Sequence, residues 1–287
     1  MIRSQCSNFF SIISLTLVIV LTSCSAGKFI PDNKYLLDKV EIKSDRKGFD
    51  AAQLAPYIRQ KANSKWFSLF KIPLGTYALS GKDSTKWINR TLQRIGEQPV
   101  LFDSAQARLS CEDLRIAMQN MGYMNARVSF NVKVRKKKNL DAIYTLSPGE
   151  PFYIKHFRYD IQDSVVACVL KPHISEKFIP RQFTVSSLDN ERSRLTAVLN
   201  DSGYYRFHKD FIQFDADSVR GSRDIDVTLH LLKYRQSSDS PEINHPRYMI
   251  GKVLFIPSDS TGLHLRRSVL ENSTAIESGR YYSSSAL

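Results

Sequence analysis

Residues 114–123 (LRIAMQNMGY) and residues 195–204 (LTAVLNDSGY) repeat one pattern roughly 80 residues apart. Each stretch has the apolar spacing of an amphipathic helix and closes with glycine followed by tyrosine. Glycine suits a helix end because it reaches left-handed backbone angles without steric cost. The helix-end residues are Gly122, Tyr123, Gly203 and Tyr204. A helix end that recurs at this interval predicts tandem domains instead of a single large core.

Length and charge limit the class of protein. A chain of 287 residues with 42% hydrophobic residues has room for about two packed domains. The formal net charge is +13, and its one tight cluster, residues 135–138, lies between two strand-like segments and predicts a hairpin tip. Nucleic-acid binding favours aromatic residues interleaved with basic ones on one face, and the sequence does not show this pattern. The basic balance fits equally well a protein that works beside anionic lipid head groups.

The first 24 residues predict that the chain is targeted to a membrane. Residues 9–21 (FFSIISLTLVIVL) carry no charge, but they are too few to span a bilayer as a helix. They suit the core of a signal peptide, and residues 21–24 (LTSC) resemble a bacterial lipobox. Cleavage there would leave Cys24 as an acylated first residue that anchors the chain to a membrane. An ordinary cleaved signal, or a single anchor helix with a chance cysteine, is the alternative. Since Ser25 follows, the lipobox resemblance implies the outer membrane, with the body in the periplasm or at the cell surface.

Three segments resemble one another as opening strands, residues 35–42, 152–159 and 248–255. Each begins with an aromatic residue and later alternates apolar with polar residues, as half-buried strands do. After the first of them, residues 50–62 have a helical pattern. Residues 63–98 then form an insertion whose aromatic and aliphatic side chains suggest an extra packed helix. These side chains are Trp66, Phe67, Phe70, Trp87 and Ile88.

Each predicted unit closes with two strands. A helix at 111–121 leads to residues 126–134, where apolar and polar side chains alternate. Residues 141–146 return as the partner strand. In the second unit the corresponding strands are 207–214 and 225–231. The third unit stops before its own Gly-Tyr, so we expect residues 248–287 to be poorly ordered in isolation.

These patterns divide the chain. The predicted segments are a signal peptide at 1–23, a tether at 24–34, a first unit at 35–150 with an insertion near 63–98, a second unit at 151–236, a linker at 237–247 and a truncated third unit at 248–287. The predicted fold class is α+β, built from tandem β-α-α-β-β units of which two are complete.

A repeated β-α-α-β-β unit whose second helix ends in Gly-Tyr resembles the polypeptide-transport-associated (POTRA) domain. Together with the lipobox, the whole resembles the lipoprotein branch of the BamA/TamA outer-membrane assembly factors of Bacteroidetes. That family continues into a C-terminal β-barrel that this sequence lacks, which implies the arm of such a protein, as a truncated gene product or a fragment. The implied partners are unfolded outer-membrane protein clients and an inner-membrane or periplasmic protein.

The resemblance implies that the strand after each Gly-Tyr helix lies at a sheet edge. An edge strand can pair with an incoming extended segment through main-chain hydrogen bonds, whatever the segment's sequence. The candidate client-binding residues on these strands are Arg127, Ser129, Asn131, Lys133, Phe207 and Phe211. The alternative is that the edges only dock a neighbouring unit or a partner protein, so that the arm is a spacer. A further alternative is a stand-alone surface lipoprotein that binds a protein or a glycan.

The sequence contains little evidence of catalytic activity. Its six histidines are scattered, without the spacing that metal ligands require. It contains neither a Gly-x-Ser-x-Gly motif nor a glycine-rich phosphate loop. We therefore predict no catalytic residue, no metal and no cofactor.

Overall fold

The computed structural model describes residues 29–64, 72–81, 83, 85–135, 138–174, 181–218, 221–237, 239–256 and 265–286. The chain divides into two units, residues 1–119 with 125–149, and residues 120–124 with 150–287. Each unit is built around its own sheet. Cys24, Trp66, Phe67 and Phe70 lie outside the described residues.

The described part of the first unit contains three strands and three α-helices. They are β1 (Leu36–Ser44), α1 (Ile72–Leu79), α2 (Trp87–Ile95), α3 (Ser104–Asn120), β2 (Arg127–Arg135) and β3 (Asn139–Ser147). The sheet order is β1-β3-β2, with β3 parallel to β1 and antiparallel to β2. The last strand in sequence is therefore central, and the strand that follows the glycine-terminated helix lies at an edge.

The core of this unit forms between α3 and one face of the sheet. Leu114, Ala117 and Met118 are buried at the helical spacing that the sequence predicts. They belong to the same core as alternate residues of β3, of which Tyr144 and Leu146 are buried. The other face of the sheet carries the polar residues of the same strands.

Some predicted boundaries in the first unit are wrong. Residues 50–62 do not form an α-helix; a 3-10 helix covers Ala51–Tyr57, with Pro56 inside it, which has no N–H to donate. Helix α3 begins at Ser104, well before the predicted position 111. The described residues of the insertion include the helices α1 and α2, and Trp87 in α2 is 71% exposed instead of packed.

The second unit also has an opening strand, helices and two closing strands. Its elements are β4 (Tyr153–Asp160), α4 (Ser164–Leu170), β5 (Arg181–Gln182), α5 (Val185–Asp201), β6 (Ile212–Ser218) and β7 (Asp224–Leu231). The sheet order is β5-β4-β7-β6, with β7 parallel to β4 and antiparallel to β6. The two-residue strand β5 is an addition that the first unit does not share among its described residues.

The buried residues on alternate positions of β7 form one side of the core of the second unit. Ile225, Val227, Leu229 and Leu231 are all buried on one side of β7. Leu195 and Leu199 of α5 and Leu170 of α4 complete this core. The predicted α+β fold class is confirmed, and both units contain the opening strand, the helices and the two closing strands of the predicted β-α-α-β-β order, with a third α-helix in the first unit and strand β5 in the second.

Residues after 247 carry less regular structure. Within 248–256, where a strand is predicted, the structure has one isolated bridge between Met249 and Tyr281. A helix, α6, spans Arg267–Ser273, and a short 3-10 helix spans Ser284–Ala286. The predicted third strand is therefore absent from the described part of this segment.

Candidate functional site

Strand β2 presents a nine-residue edge in the first sheet. Its inner side pairs with β3 along its whole length, from Arg127 opposite Ser147 to Arg135 opposite Asn139. Among the described residues, no strand pairs with its outer side. The strand after the first Gly-Tyr helix thus lies at an edge of the sheet, which is the position that the POTRA resemblance implies.

The hydrogen bonds of β3 reveal which main-chain groups of β2 point outward. The carbonyl of Lys138, just before β3, accepts from the N–H of Leu36 in β1, and the carbonyl of Leu146 in β3 accepts from the N–H of Asp45, just after β1. The even-numbered residues of β3 therefore face β1. Its odd-numbered residues must then face β2, and they lie opposite the odd-numbered residues of that strand. The even-numbered residues of β2 therefore direct their N–H and C=O groups to the free edge. They are Val128, Phe130, Val132 and Val134.

The side chains of β2 divide between the two sheet faces. Arg127, Ser129, Asn131 and Lys133 are exposed on the face away from the helices, where the sequence places them. On the helix side, the ring of Phe130 lies 6.2 Å from that of Tyr144 between centroids. Further along, Val132 and Val134 are 45% and 56% exposed. The outer edge thus combines a polar, basic face with an exposed apolar one.

A buried carboxylate lies beside the basic face. Asp141 of β3, opposite Lys133, is 2% exposed. Its Oδ2 lies 2.5 Å from Nη2 of Arg135, while its Oδ1 has no hydrogen-bond partner in the described part of the chain. On β1, hydrogen bonds from Lys39 and Lys43 lower the pKa of Glu41 to about 2. Both acids are therefore paired with neighbouring cations on this face.

Strand β6 is the corresponding edge of the second sheet. It begins at Ile212, so the predicted start at residue 207 is wrong. Phe207 is 4% exposed and belongs to the hydrophobic core, and Phe211 ends a 3-10 helix that precedes the strand. Because their aromatic side chains pack inward, neither residue belongs to the free edge.

Both glycine helix ends carry the same hydrogen-bond arrangement, within the second structural unit. Gly122 and Gly203 have φ of +93° and +101°, which favours glycine. The Gly122 carbonyl accepts from the N–H of Phe152 at 2.9 Å, and the Gly203 carbonyl accepts from the N–H of Tyr248 at 2.7 Å. Each glycine is thus the point at which a following chain segment docks.

A second layer of contacts repeats at the two docking points. The carbonyl of Phe152 accepts from Phe183 at 2.9 Å, and that of Tyr248 accepts from Tyr282 at 3.0 Å. Tyr204 beside the second glycine is buried, whereas Tyr123 beside the first is partly buried. The Gly-Tyr pairs are therefore structural junctions.

His245 occupies a site that the sequence gives no signal for, because a lone histidine before proline has no distinctive spacing. It is 7% exposed, and its ring lies 4.8 Å from Phe207, 4.7 Å from Phe211 and 6.0 Å from Tyr234 between centroids. Its Nε2 is 2.8 Å from the carbonyl oxygen of Leu232. Burial lowers the pKa of His245, and the hydrogen bond to Leu232 opposes that shift.

Two other histidines lie on the open face of the second sheet. His230 has Nδ1 2.8 Å from Asp160 and Nε2 3.1 Å from Asp215. His156 lies 2.7 Å from Asp226. Among the described residues, no group of three or more histidines, cysteines and carboxylates is arranged to hold a metal ion. Nor does any described helix have the length and apolar character needed to cross a bilayer.

No protein-family model and no curated protein matches this chain. Solved structures do. The chain is similar to POTRA3-5 of Haemophilus influenzae BamA, at 14% identity over 90% of this chain and 84% of that one, with a TM-score of 0.40. It is also similar to POTRA1-2 of the periplasmic domain of Omp85 from Anabaena, at 8% identity over 71% of this chain and 100% of that one, with a TM-score of 0.31.

A third similar structure is CdiB from Escherichia coli, at 9% identity over 82% of this chain and 35% of that one, with a TM-score of 0.23. All these TM-scores lie below 0.5. The features of this chain that bear on its function are its own free edge strands.

Proposed function

We propose that this chain is the periplasmic arm of an outer-membrane protein assembly factor, in which β2 binds unfolded β-barrel clients by adding them to its sheet. The observation that carries the proposal is the outward row of main-chain groups on Val128, Phe130, Val132 and Val134. An extended client segment hydrogen-bonds to such a row whatever its side chains are. Affinity that comes from the main chain suits a factor whose clients differ in sequence.

The membrane attachment in this proposal is a lipid on Cys24. One or more acyl chains there would keep the arm at the outer membrane, where barrel clients insert. The net charge of +13 supports work beside anionic head groups. The body lies in the periplasm in this proposal, and the cell surface is the alternative location.

Proline at the free edge tests the proposal, because proline removes one N–H. Val132→Pro deletes an outward donor while leaving the hydrogen bonds to β3 in place, a position that edge strands tolerate. We expect the variant to fold and to bind a nine-residue peptide from an outer-membrane barrel strand at least about fivefold more weakly, since a lost hydrogen bond is worth about 1 kcal/mol. Fluorescence anisotropy of the labelled peptide measures the affinity.

Two matched variants complete this experiment. Val132→Thr keeps the outward N–H and a β-branched side chain, so peptide binding is expected to stay unchanged. Asn131→Pro removes an N–H that points toward β3, so it is expected to lower the unfolding temperature. If Val132→Pro is folded and binds the peptide as well as the unsubstituted chain, client pairing at β2 is wrong.

The spacer alternative is favoured by a different observation, the repeated junction at Gly122 and Gly203. A docking arrangement that recurs along the chain would suit an arm that sets a distance or holds a partner protein. Under this alternative, Val132→Pro leaves client binding unaffected, whereas Gly122→Ala disrupts the junction between Gly122 and the segment that begins at Phe152. The same set of variants therefore separates the two functions.

A further inference from the structure

The two sheets place edge strands of opposite charge at equivalent positions. In the first sheet, the open face of β2 carries Arg127, Lys133 and Arg135. In the second, the exposed residues of β6 include Asp215 and Asp217, and this strand carries no basic residue. Since both strands follow the glycine-terminated helix of their unit and border its last strand, the shared topology does not dictate their charge.

The two edges also expose main-chain groups in the same way. The N–H of Leu232 donates to the carbonyl of Phe211, so the odd-numbered residues of β6 face β7. The even-numbered residues Phe214 and Ala216 therefore point their main-chain groups outward, as Val132 and Val134 do in β2. What differs between the edges is the charge that a paired segment would meet.

Part of the positive charge on β2 remains available to a partner. Arg135 pairs with Asp141, whereas within the described residues neither Arg127 nor Lys133 takes part in a salt bridge. Their N–H and C=O groups face β3, so an antiparallel segment added outside would place its side chains opposite them in non-hydrogen-bonded positions. Side chains approach most closely at those positions. A charge on the added segment would thus lie near these cations.

We propose that β2 selects extended segments in which acidic residues alternate with apolar ones, a refinement that rests on the proposed function. The acidic side chains face Arg127 and Lys133, and the apolar side chains cover Val132 and Val134 on the opposite face. Opposite charges across a strand pair stabilise it, whereas like charges destabilise it. Edge β6 disfavours the same segments, because Asp215 and Asp217 repel them.

Three nine-residue peptides test this selection on the full chain. In each, valine alternates with a second residue, which is aspartate or glutamate in the acidic peptide, lysine in the basic one and serine or threonine in the neutral one. We expect the acidic peptide to bind about tenfold more tightly than the neutral one at low salt, from two charge pairs. This preference should shrink as ionic strength rises.

Charge reversal assigns the preference to β2. The double variant Arg127→Glu with Lys133→Glu changes exposed residues only, and we expect it to prefer the basic peptide. Asp215→Lys with Asp217→Lys in β6 is the matched control, and it should leave the preference of β2 for the acidic peptide in place. If the β2 reversal leaves the acidic preference unchanged, the proposal is wrong.

The remaining outcomes separate this proposal from the one on which it rests. Equal binding of all three peptides, abolished by Val132→Pro, overturns charge selection and leaves client pairing intact. Binding of none of them overturns both. If the chain alone dimerises in sedimentation experiments and the β6 control abolishes the dimer, then β6 of a second copy occupies β2, and selection of client segments is wrong.

Discussion

At the residue scale, Gly122 and Gly149 distinguish two energetic costs of replacing a glycine, the backbone strain at positive φ and the steric overlap of the added Cβ atom. Both have positive φ, +93° and +71°, which strains any other residue by about 1–2 kcal/mol. A Cβ on Gly122 would also lie 2.3 Å from the carbonyl oxygen of Phe183, whereas nothing lies within 4 Å at Gly149. We predict that Gly122→Ala lowers the free energy of unfolding by about 2–4 kcal/mol and Gly149→Ala by about 1 kcal/mol. Urea titration measures both, and equal losses would show that the Phe183 contact is unimportant.

His245 makes the stability of the second unit depend on pH. Because burial lowers its pKa in the folded chain, the unfolded chain binds more protons below about pH 6.5. The contribution of neutral His245 to the folding stability of the second unit is therefore fully present above that pH. It is lost as the pH falls through the pKa of His245 in the folded chain. We predict that His245→Gln, which keeps a donor for Leu232, flattens the decrease in unfolding temperature between pH 7 and pH 5. The exposed His173 provides the control, since His173→Gln should keep the slope of the unsubstituted chain.

At the element scale, helix α2 is a surface addition despite its large apolar residues. Trp87 and Ile95 are 71% and 66% exposed, and no residue of this helix is buried. Leu74 of helix α1 is 5% exposed and belongs to a core cluster with Leu36. We predict that Trp87→Ala changes the free energy of unfolding by less than about 0.5 kcal/mol. Leu74→Ala should cost about 2–5 kcal/mol. Comparable losses in thermal unfolding would place α2 in the core.

The strands were predictable where alternation was long and unbroken. The pattern at residues 126–134 places β2 to within one residue, because period-two burial follows directly from the pleat. Alternation gives the wrong start for β6, at Phe207, because the Phe207 ring packs into the core and the strand begins only at Ile212. Composition could not distinguish Trp87 at the surface from a packed tryptophan. The orientation of the free edge depends on pairing between β1 and β3, which are distant in sequence, so no local pattern reveals it.

At the scale of the whole molecule, residues beyond the second sheet are held by two sets of contacts, one made by residues 243–245 and one made by residues 247–285. His245 fills the aromatic cage of Phe207, Phe211 and Tyr234, and Tyr234 forms a bridge with Ile243. Further on, Arg247 donates to the carbonyl of Ser202 at 2.6 Å and lies over the Tyr281 ring. The predicted boundary at 236 precedes both sets, and the predicted linker at 237–247 includes His245.

Two truncated chains therefore test where the second unit ends. A chain that stops after residue 246 keeps the His245 cage and loses the Arg247 contacts, the hydrogen bond from Tyr248 to Gly203 and the hydrogen bonds of Ser283 and Ser285 to Asp201. We predict a loss of about 2–4 kcal/mol. A chain that stops after residue 236 also empties the cage, which should cost about 2–4 kcal/mol more. Hydrogen exchange of helix α5, measured by mass spectrometry, reports the stability of this unit directly. Equal protection of α5 in the two truncated chains would show that the unit ends at 236, and that the cage only tethers the segment that follows.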